Sequence, residues 1–291
     1  MSYSVMASQN SQKPALVALT GAALLAFACN SFLARLAFRS TAIDPASYTT
    51  IRLLAGGLTL LAILRLQQER LPRAASSWLS AALLFTYAGA FSFAYREISA
   101  GAGALVLFAA AQLTMITYGL YHGERASLPG ILLACAGIVI FLAPSATTPP
   151  LFAAFLMAIA GAAWGGFSLL GKGRHSPIGM TTESFLWTVP LALVLTLIQR
   201  DHFNMDRTGA VYAVISGSIT SAIGYAIWYW VRVRITAISA GAVQLCVPVL
   251  SALLGWLFLG ERLATRNLVA GVAVLSGIAW VTVTAKSAKS R

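Results

Sequence analysis

Charge is what this chain has least of. Only 10% of its 291 residues are charged, against 58% hydrophobic, whereas a soluble domain carries about 25% charged and about 45–50% apolar residues. So few charges cannot cover a globular surface, and lipid must be the solvent for most of the chain. Acids are the scarcest of all. The eight carboxylates (Asp44, Glu69, Glu97, Glu124, Glu183, Asp201, Asp206 and Glu261) fall in or beside the connections between apolar runs. None sits at the centre of a run, where proton-coupled carriers usually need one. His122, His175 and His202 lie at run edges, and there is no Walker A loop, paired catalytic carboxylate or Ser-His-Asp set. Enzyme and ATP-driven pump readings therefore find no chemistry to rest on, and no cofactor or metal is expected. The three cysteines, Cys29, Cys135 and Cys246, sit inside apolar runs without CxxC spacing, which reads as buried thiols rather than redox or metal ligands. The net charge of +12 does not point to nucleic acid, because the basic residues cluster between apolar runs and form no stripe with stacking aromatics.

What is present is hydrophobic length. Apolar runs occur at roughly 15–35, 46–66, 76–95, 99–121, 127–143, 150–171, 182–199, 209–230, 236–259 and 265–284. A helix needs about 20 such residues to cross about 30 Å of hydrocarbon, so the fold class is all-α integral membrane with ten transmembrane helices. Residues 1–12 carry no charge and much Ser and Gln, and read as a disordered tail. Residues 286–291 form a basic C-terminal tail. With both termini placed in the cytoplasm, twelve Lys and Arg fall inside and seven outside, with Arg52 within a span. That is the positive-inside arrangement, and the expected location is a bacterial inner membrane.

The chain also repeats itself. Ser239 to Arg262 reads SAGAVQLCVPVLSALLGWLFLGER, and a degraded copy runs from Ser99 to Arg125. At an offset of 137 residues Ser31 meets Ser168, Arg35 meets Lys172, Phe27 meets Trp164, and Gly123-Glu124-Arg125 meets Gly260-Glu261-Arg262. The units are 13–146 and 147–285. Five spans per unit is odd, so the second enters from the opposite side. Inverted repeats of this kind build alternating-access transporters with a site near the midplane, here a central cavity between the halves.

Several residues stand out within the spans. Gln244 and Pro248 are four apart, so the proline would free the carbonyl of residue 244 beside a side-chain amide. That pair reads either as a substrate site or as packing glue. Asn30 near the end of the first span, Trp164 and Ser168 in its counterpart, and Gln112 in the fourth invite the same question. Trp164 either stacks on a substrate ring or packs. Tyr87, Phe91 and Tyr95 form an i, i+4, i+8 stripe, and Tyr225 lies deep in the eighth span. Gly161-xxx-Gly165 permits close helix approach. Arg52, about two turns into the second span, is read as structural or gating, rescued by snorkelling, by a carboxylate partner or by the substrate. Glu124 and Glu261 follow glycines that end helices, and capping the next helix outweighs a gating role.

These features resemble the drug/metabolite transporter superfamily of the EamA type over about 15–285. The resemblance rests on the doubled five-span pattern, the small-residue first helix followed by Arg or Lys, and SAGA…Pro…GER closing the fourth helix of a unit. The fourth span lacks the proline usual there, and Phe27 stands where Trp is usual. Within the superfamily the chain looks most like the bacterial aromatic amino acid exporters. The resemblance implies a basket of helices around an apolar cavity, with spans 5 and 10 peripheral. It further implies export of aromatic and other neutral amino acids, with tolerance for flat cationic compounds. The runner-up is a broad drug or quaternary-ammonium exporter. The expected partners are the small-molecule substrate and the lipid bilayer. The sequence sets no oligomeric state, and a monomer is among those it allows.

Overall fold

In a computed structural model of the chain, residues 3–69, 77–123, 127–143, 149–170, 177–232, 234–235 and 243–284 are described. Glu124, Arg125, Lys172, the second Ser-Ala-Gly-Ala run at 239–242 and the basic tail at 286–291 lie outside them. The described residues are helical and contain no strand. Eight helices are long and apolar enough to cross a membrane, and two shorter ones are also apolar.

In chain order these are α1 (Tyr3–Ser40), α2 (Pro45–Leu66), α3 (Ser77–Tyr95), α4 (Ala100–Tyr121), α5 (Leu128–Leu142), α6 (Leu151–Leu170), α7 (Pro177–Ile198), α8 (Arg207–Arg232), α9 (Cys246–Leu259) and α10 (Thr265–Thr284). Helix α1 already begins at Tyr3, within the segment that composition reads as a disordered tail. No glycine interrupts it before Gly21, and Ala, Met and Gln there are good helix formers.

The helix ends follow from local chemistry. Asp44 caps α2, its Oδ1 accepting the N–H groups of Ala46 and Ser47 at 2.9 Å each, with Pro45 opening the helix. Ser99 does the same for α4 and Asp206 for α8. Gly123 (φ 81°) follows α4 and Gly260 (φ 62°) follows α9, both in the left-handed region. These are the glycines of the two Gly-Glu-Arg triplets, and both serve as helix stops.

Helices α1–α4 and α6–α9 supply the main apolar core. Helices α5 and α10 pack on each other around a smaller core that includes Ala134, Phe141, Ala270, Val274 and Ile278. Close approach is built from glycine. A Cβ on Gly161 would lie 2.2 Å from the Leu107 carbonyl, and one on Gly165 would lie 2.8 Å from that of Ala111, so α6 meets α4 almost backbone to backbone. Large apolar side chains such as Leu58, Val139, Phe155 and Leu197 face outward, as a lipid-solvated surface requires. Two of the cysteines depart from expectation: Cys135 and Cys246 are exposed and Cys29 is half-buried. In lipid an apolar thiol gains little by turning inward, so an apolar run does not by itself bury it.

One span is irregular. The middle of α8, Ser216–Ile223, is wound as a π-helix between ordinary α-helical turns. Such wide turns occur frequently at functional sites. This one presents Ser216, Thr220 and Ser221, all buried, to the centre of the bundle.

Candidate functional site

The centre of the bundle holds a chain of polar side chains. Asn30 of α1 accepts a hydrogen bond at Oδ1 from Ser216 Oγ at 2.7 Å, and Thr220 Oγ1 lies 3.3 Å from the same oxygen. Its Nδ2 donates to the Tyr87 hydroxyl of α3 at 3.3 Å. Arg52 of α2 donates from Nη2 to that hydroxyl at 3.1 Å and from Nε to Ser221 Oγ at 3.4 Å. Four helices are thus joined through six side chains, which gives buried polar groups the partners that lipid cannot supply.

Around this chain stands a wall of rings. Trp164 of α6 lies between Tyr87 and Tyr225, its ring centre 5.2 Å from each, and it is stacked on Tyr225 at 26°. Phe27 meets Tyr225 and Trp228 edge-on at 5.8 and 5.9 Å. Phe91 continues the row to Tyr95 at 4.6 Å. Phe27, Asn30, Tyr87, Trp164 and Tyr225 are among the residues that bound a void of about 20 Å³, room for about one water. The chamber is therefore collapsed, and a solute carrying a ring has to displace a wall ring to enter.

Asn30, Tyr87, Trp164 and Tyr225, four of the residues singled out in the sequence, come together here. Phe27 and Trp164, 137 positions apart in sequence, both contact Tyr225. Tyr95 is fully buried, one ring further along, and donates to the Ala100 carbonyl at 3.3 Å. The other candidates do not line the void. Ser168 is exposed and bonds back to the Trp164 carbonyl at 2.8 Å. Gln112 is buried in α4 with its Nε2 unpartnered. Gln244 is half-buried just ahead of a break at Leu245, and α9 restarts at Cys246. Val243 and Gln244 are helical ahead of that break and Leu245 keeps right-handed helical dihedrals, so Pro248 has no N–H to give the Gln244 carbonyl four residues back. Arg52 does not snorkel: it is 2% exposed. The sequence reading missed Ser216, Thr220 and Ser221. Their signal was present, since Ser216, Ser218, Thr220 and Ser221 make a hydroxyl-rich stretch inside an apolar run.

The chamber is shut at the end of the bundle that carries the α1–α2 and α3–α4 connections. Arg35 of α1 pairs with Glu261 at 3.2 Å and donates to the carbonyls of Tyr95 and Arg96 at 3.0 and 2.8 Å. Arg39 reaches the Leu259 carbonyl at the end of α9. Glu261 was expected to cap the helix that follows it. Instead its Oε2 accepts the Ala100 N–H of α4 at 2.9 Å. Residues 261–264 are not helical, so the carboxylate is free to reach the neighbouring helix start. Beside this closure lies a wider cleft of about 400 Å³, lined in part by Phe38, Asp44, Arg96 and His202.

The site holds neutral hydrogen-bonding groups, rings and one cation. No cluster of three or more His, Cys, Asp or Glu exists among the described residues. A bundle of apolar, membrane-length helices around a polar centre defines a multi-pass membrane protein.

Comparison with known proteins narrows that class. Residues 151–283 match the EamA-like transporter family. An uncharacterized protein of Pseudomonas aeruginosa is 46% identical over 266 residues, covering 90% of this chain and 93% of that protein. A Salmonella typhimurium protein named a probable amino-acid metabolite efflux pump is 26% identical, over 65% of this chain and 71% of its own. A solved crystal structure superposes with a TM-score of 0.65 at 17% identity, covering 92% of this chain and 98% of that one, a likeness of fold alone. The chain belongs to the EamA-like transporter family, within the drug/metabolite transporter superfamily.

Proposed function

We propose that this transporter exports aromatic and other neutral amino acids by alternating access, as facilitated movement down the cargo's own gradient. The observation that carries the reading is the chamber itself, in which Tyr87, Trp164 and Tyr225 surround the amide of Asn30 at mid-bundle. Rings suit the cargo's side chain and the amide suits its polar end. The Salmonella relative's name, a probable amino-acid metabolite efflux pump, supports the same class of cargo. We place the protein in a bacterial inner membrane with both termini cytoplasmic, so the Arg35–Glu261 closure seals the outer side. The two five-helix units at 13–146 and 147–285 would tilt against each other around the chamber.

The rival reading, a quaternary-ammonium exporter, fits the site less well. An aromatic box attracts cations, but the Arg52 guanidinium already lies 5.3 Å from the Tyr87 ring centre and 4.6 Å from that of Phe91. A second cation there would meet a buried like charge.

The test is efflux of phenylalanine and tryptophan from proteoliposomes. Flux is expected in the wild type and a strong loss in Asn30→Ala and Trp164→Ala. Unchanged flux in both variants would remove this site. Strong dependence on an imposed pH gradient would remove the uncoupled mechanism, which rests on a chamber lining without Asp, Glu or His.

A further inference from the structure

Arg52 is a cation without a counter-charge. It lies seven residues into α2 from Pro45, about 10 Å along the helix, and it heads the fully buried side chains by size. Its contacts are all neutral: the Tyr87 hydroxyl, the Ser221 hydroxyl and the faces of Tyr87 and Phe91. Its Nη1 has no partner although it is buried. Neither of the two salt bridges among the described residues involves it. A buried charge in this state is expensive. Cation–π contacts of about 0.5–2 kcal/mol relieve only part of that expense. A residue needed only as interhelical glue would be cheaper as an amide or a hydroxyl.

Its position supplies the missing partner. Tyr87, Phe91 and Ser221, which contact the guanidinium, also line the central void. A ligand in the chamber is therefore one side chain away from three unspent N–H donors, two on Nη1 and one on Nη2, in a planar fork, the geometry that carboxylates match.

We propose that Arg52 is the docking point for the cargo's carboxylate, so that the chamber selects compact aromatic acids over the corresponding amides and amines. The assignment rests on the reading of this chamber as the cargo site. It gives the cargo an orientation: carboxylate towards α2, ring among Trp164 and Tyr225, amino group towards Asn30. An arginine holds its charge at any physiological pH, so this anchor needs no proton to operate.

The experiment uses full-length protein in proteoliposomes, with uptake of labelled phenylalanine and competition by phenylalanine, 3-phenylpropionate, phenylalanine amide and phenylethylamine. The two acids are expected to compete at least tenfold better than the amide and the amine. In Arg52→Gln that ratio is expected to fall to near one, and Arg52→Lys is expected to keep part of it. Equal competition by acids and amide in the wild type overturns the proposal. So does an Arg52→Gln variant of wild-type melting temperature that keeps the full acid preference. Should neither variant fold, the wild-type ratio decides alone. If phenylalanine is not carried but 3-phenylpropionate raises the melting temperature of wild type and not of Arg52→Gln, the anchor stands and the amino acid reading falls. If phenylalanine is carried without acid preference, the reading stands and the anchor falls. If no acid is carried or shifts the melting temperature, both fall.

Discussion

Arg35 and Glu261 stand 226 positions apart in sequence and meet at 3.2 Å. The same carboxylate accepts the Ala100 N–H that opens α4. One side chain thus ties α1, α4 and the end of α9 together where the bundle is closed. Both partners are mostly shielded, at 17% and 10% exposure, so the pair exceeds an exposed ion pair in worth. Glu261→Ala removes the ion pair and the cap together and is expected to cost about 1–3 kcal/mol. Glu261→Gln keeps an acceptor for the cap and is expected to cost less. Thermal unfolding in detergent checks the order: wild type, then Gln, then Ala.

The contact between Gly217 and α2 predicts a steric failure. A Cβ at Gly217 would lie 2.2 Å from the Arg52 carbonyl and 3.0 Å from the Gly56 nitrogen. Backbone atoms cannot move aside as a flexible side chain can, so Gly217→Ala is expected to cost about 1–3 kcal/mol or more. Gly21, with nothing within 4 Å of its would-be Cβ, is the control. Gly21→Ala is expected to be neutral or slightly stabilising. Melting temperatures of the two variants, measured side by side, decide the point.

Trp164 makes ring contacts with both Tyr87 and Tyr225, each pair being worth about 0.5–1.5 kcal/mol beyond area. Under the proposed function, Trp164→Ala is expected to lower phenylalanine flux about tenfold or more. Trp164→Phe, which keeps a ring between the two tyrosines, is expected to retain most of it. Initial rates in proteoliposomes at matched protein incorporation provide the measurement.

Ser216 is the shortest link in the central chain, donating to Asn30 at 2.7 Å. Ser216→Ala leaves the Asn30 carbonyl with Thr220 at 3.3 Å. A loss of about 1 kcal/mol in stability is expected. Asn30→Leu takes away the acceptor for Ser216 and the donor to Tyr87, and is expected to be the more damaging change. Melting temperatures again rank the two.

The helices were legible because hydrophobic length is a property of sequence alone, and the glycines of the Gly-Glu-Arg triplets stop helices as their type suggests. Part of the site was legible for the same reason: Asn30, Tyr87, Trp164 and Tyr225 are polar or amphipathic groups deep in apolar runs. Which way a side chain faces was harder to read. Ser168 looked equivalent to Ser31, yet Ser31 is buried and Ser168 is exposed. The repeat predicts the helix, and helix rotation decides the face. Gln244 drew attention through its spacing to Pro248, and the helix is interrupted at Leu245 between them, but Gln244 does not line the central void. Arg52 was visible as an oddity. Its neutral surroundings depend on α3 and α8 meeting α2, a tertiary fact that no local pattern encodes. The π-wound turn was hidden too, because a change in ladder spacing leaves the residue types unaltered.

That wide turn sets a limit on how α8 tolerates length changes. Each residue advances an α-helix by about 100°, but the π-wound turn between Ser216 and Ile223 holds more residues per turn than an α-helix does. Deleting one residue there would let the ladder return to ordinary α spacing while Tyr225 and Trp228 keep their facing towards Phe27 and Trp164. The regular turns between Arg207 and Ile215 have no such slack. A one-residue deletion in them would rotate half the wall of the chamber out of place.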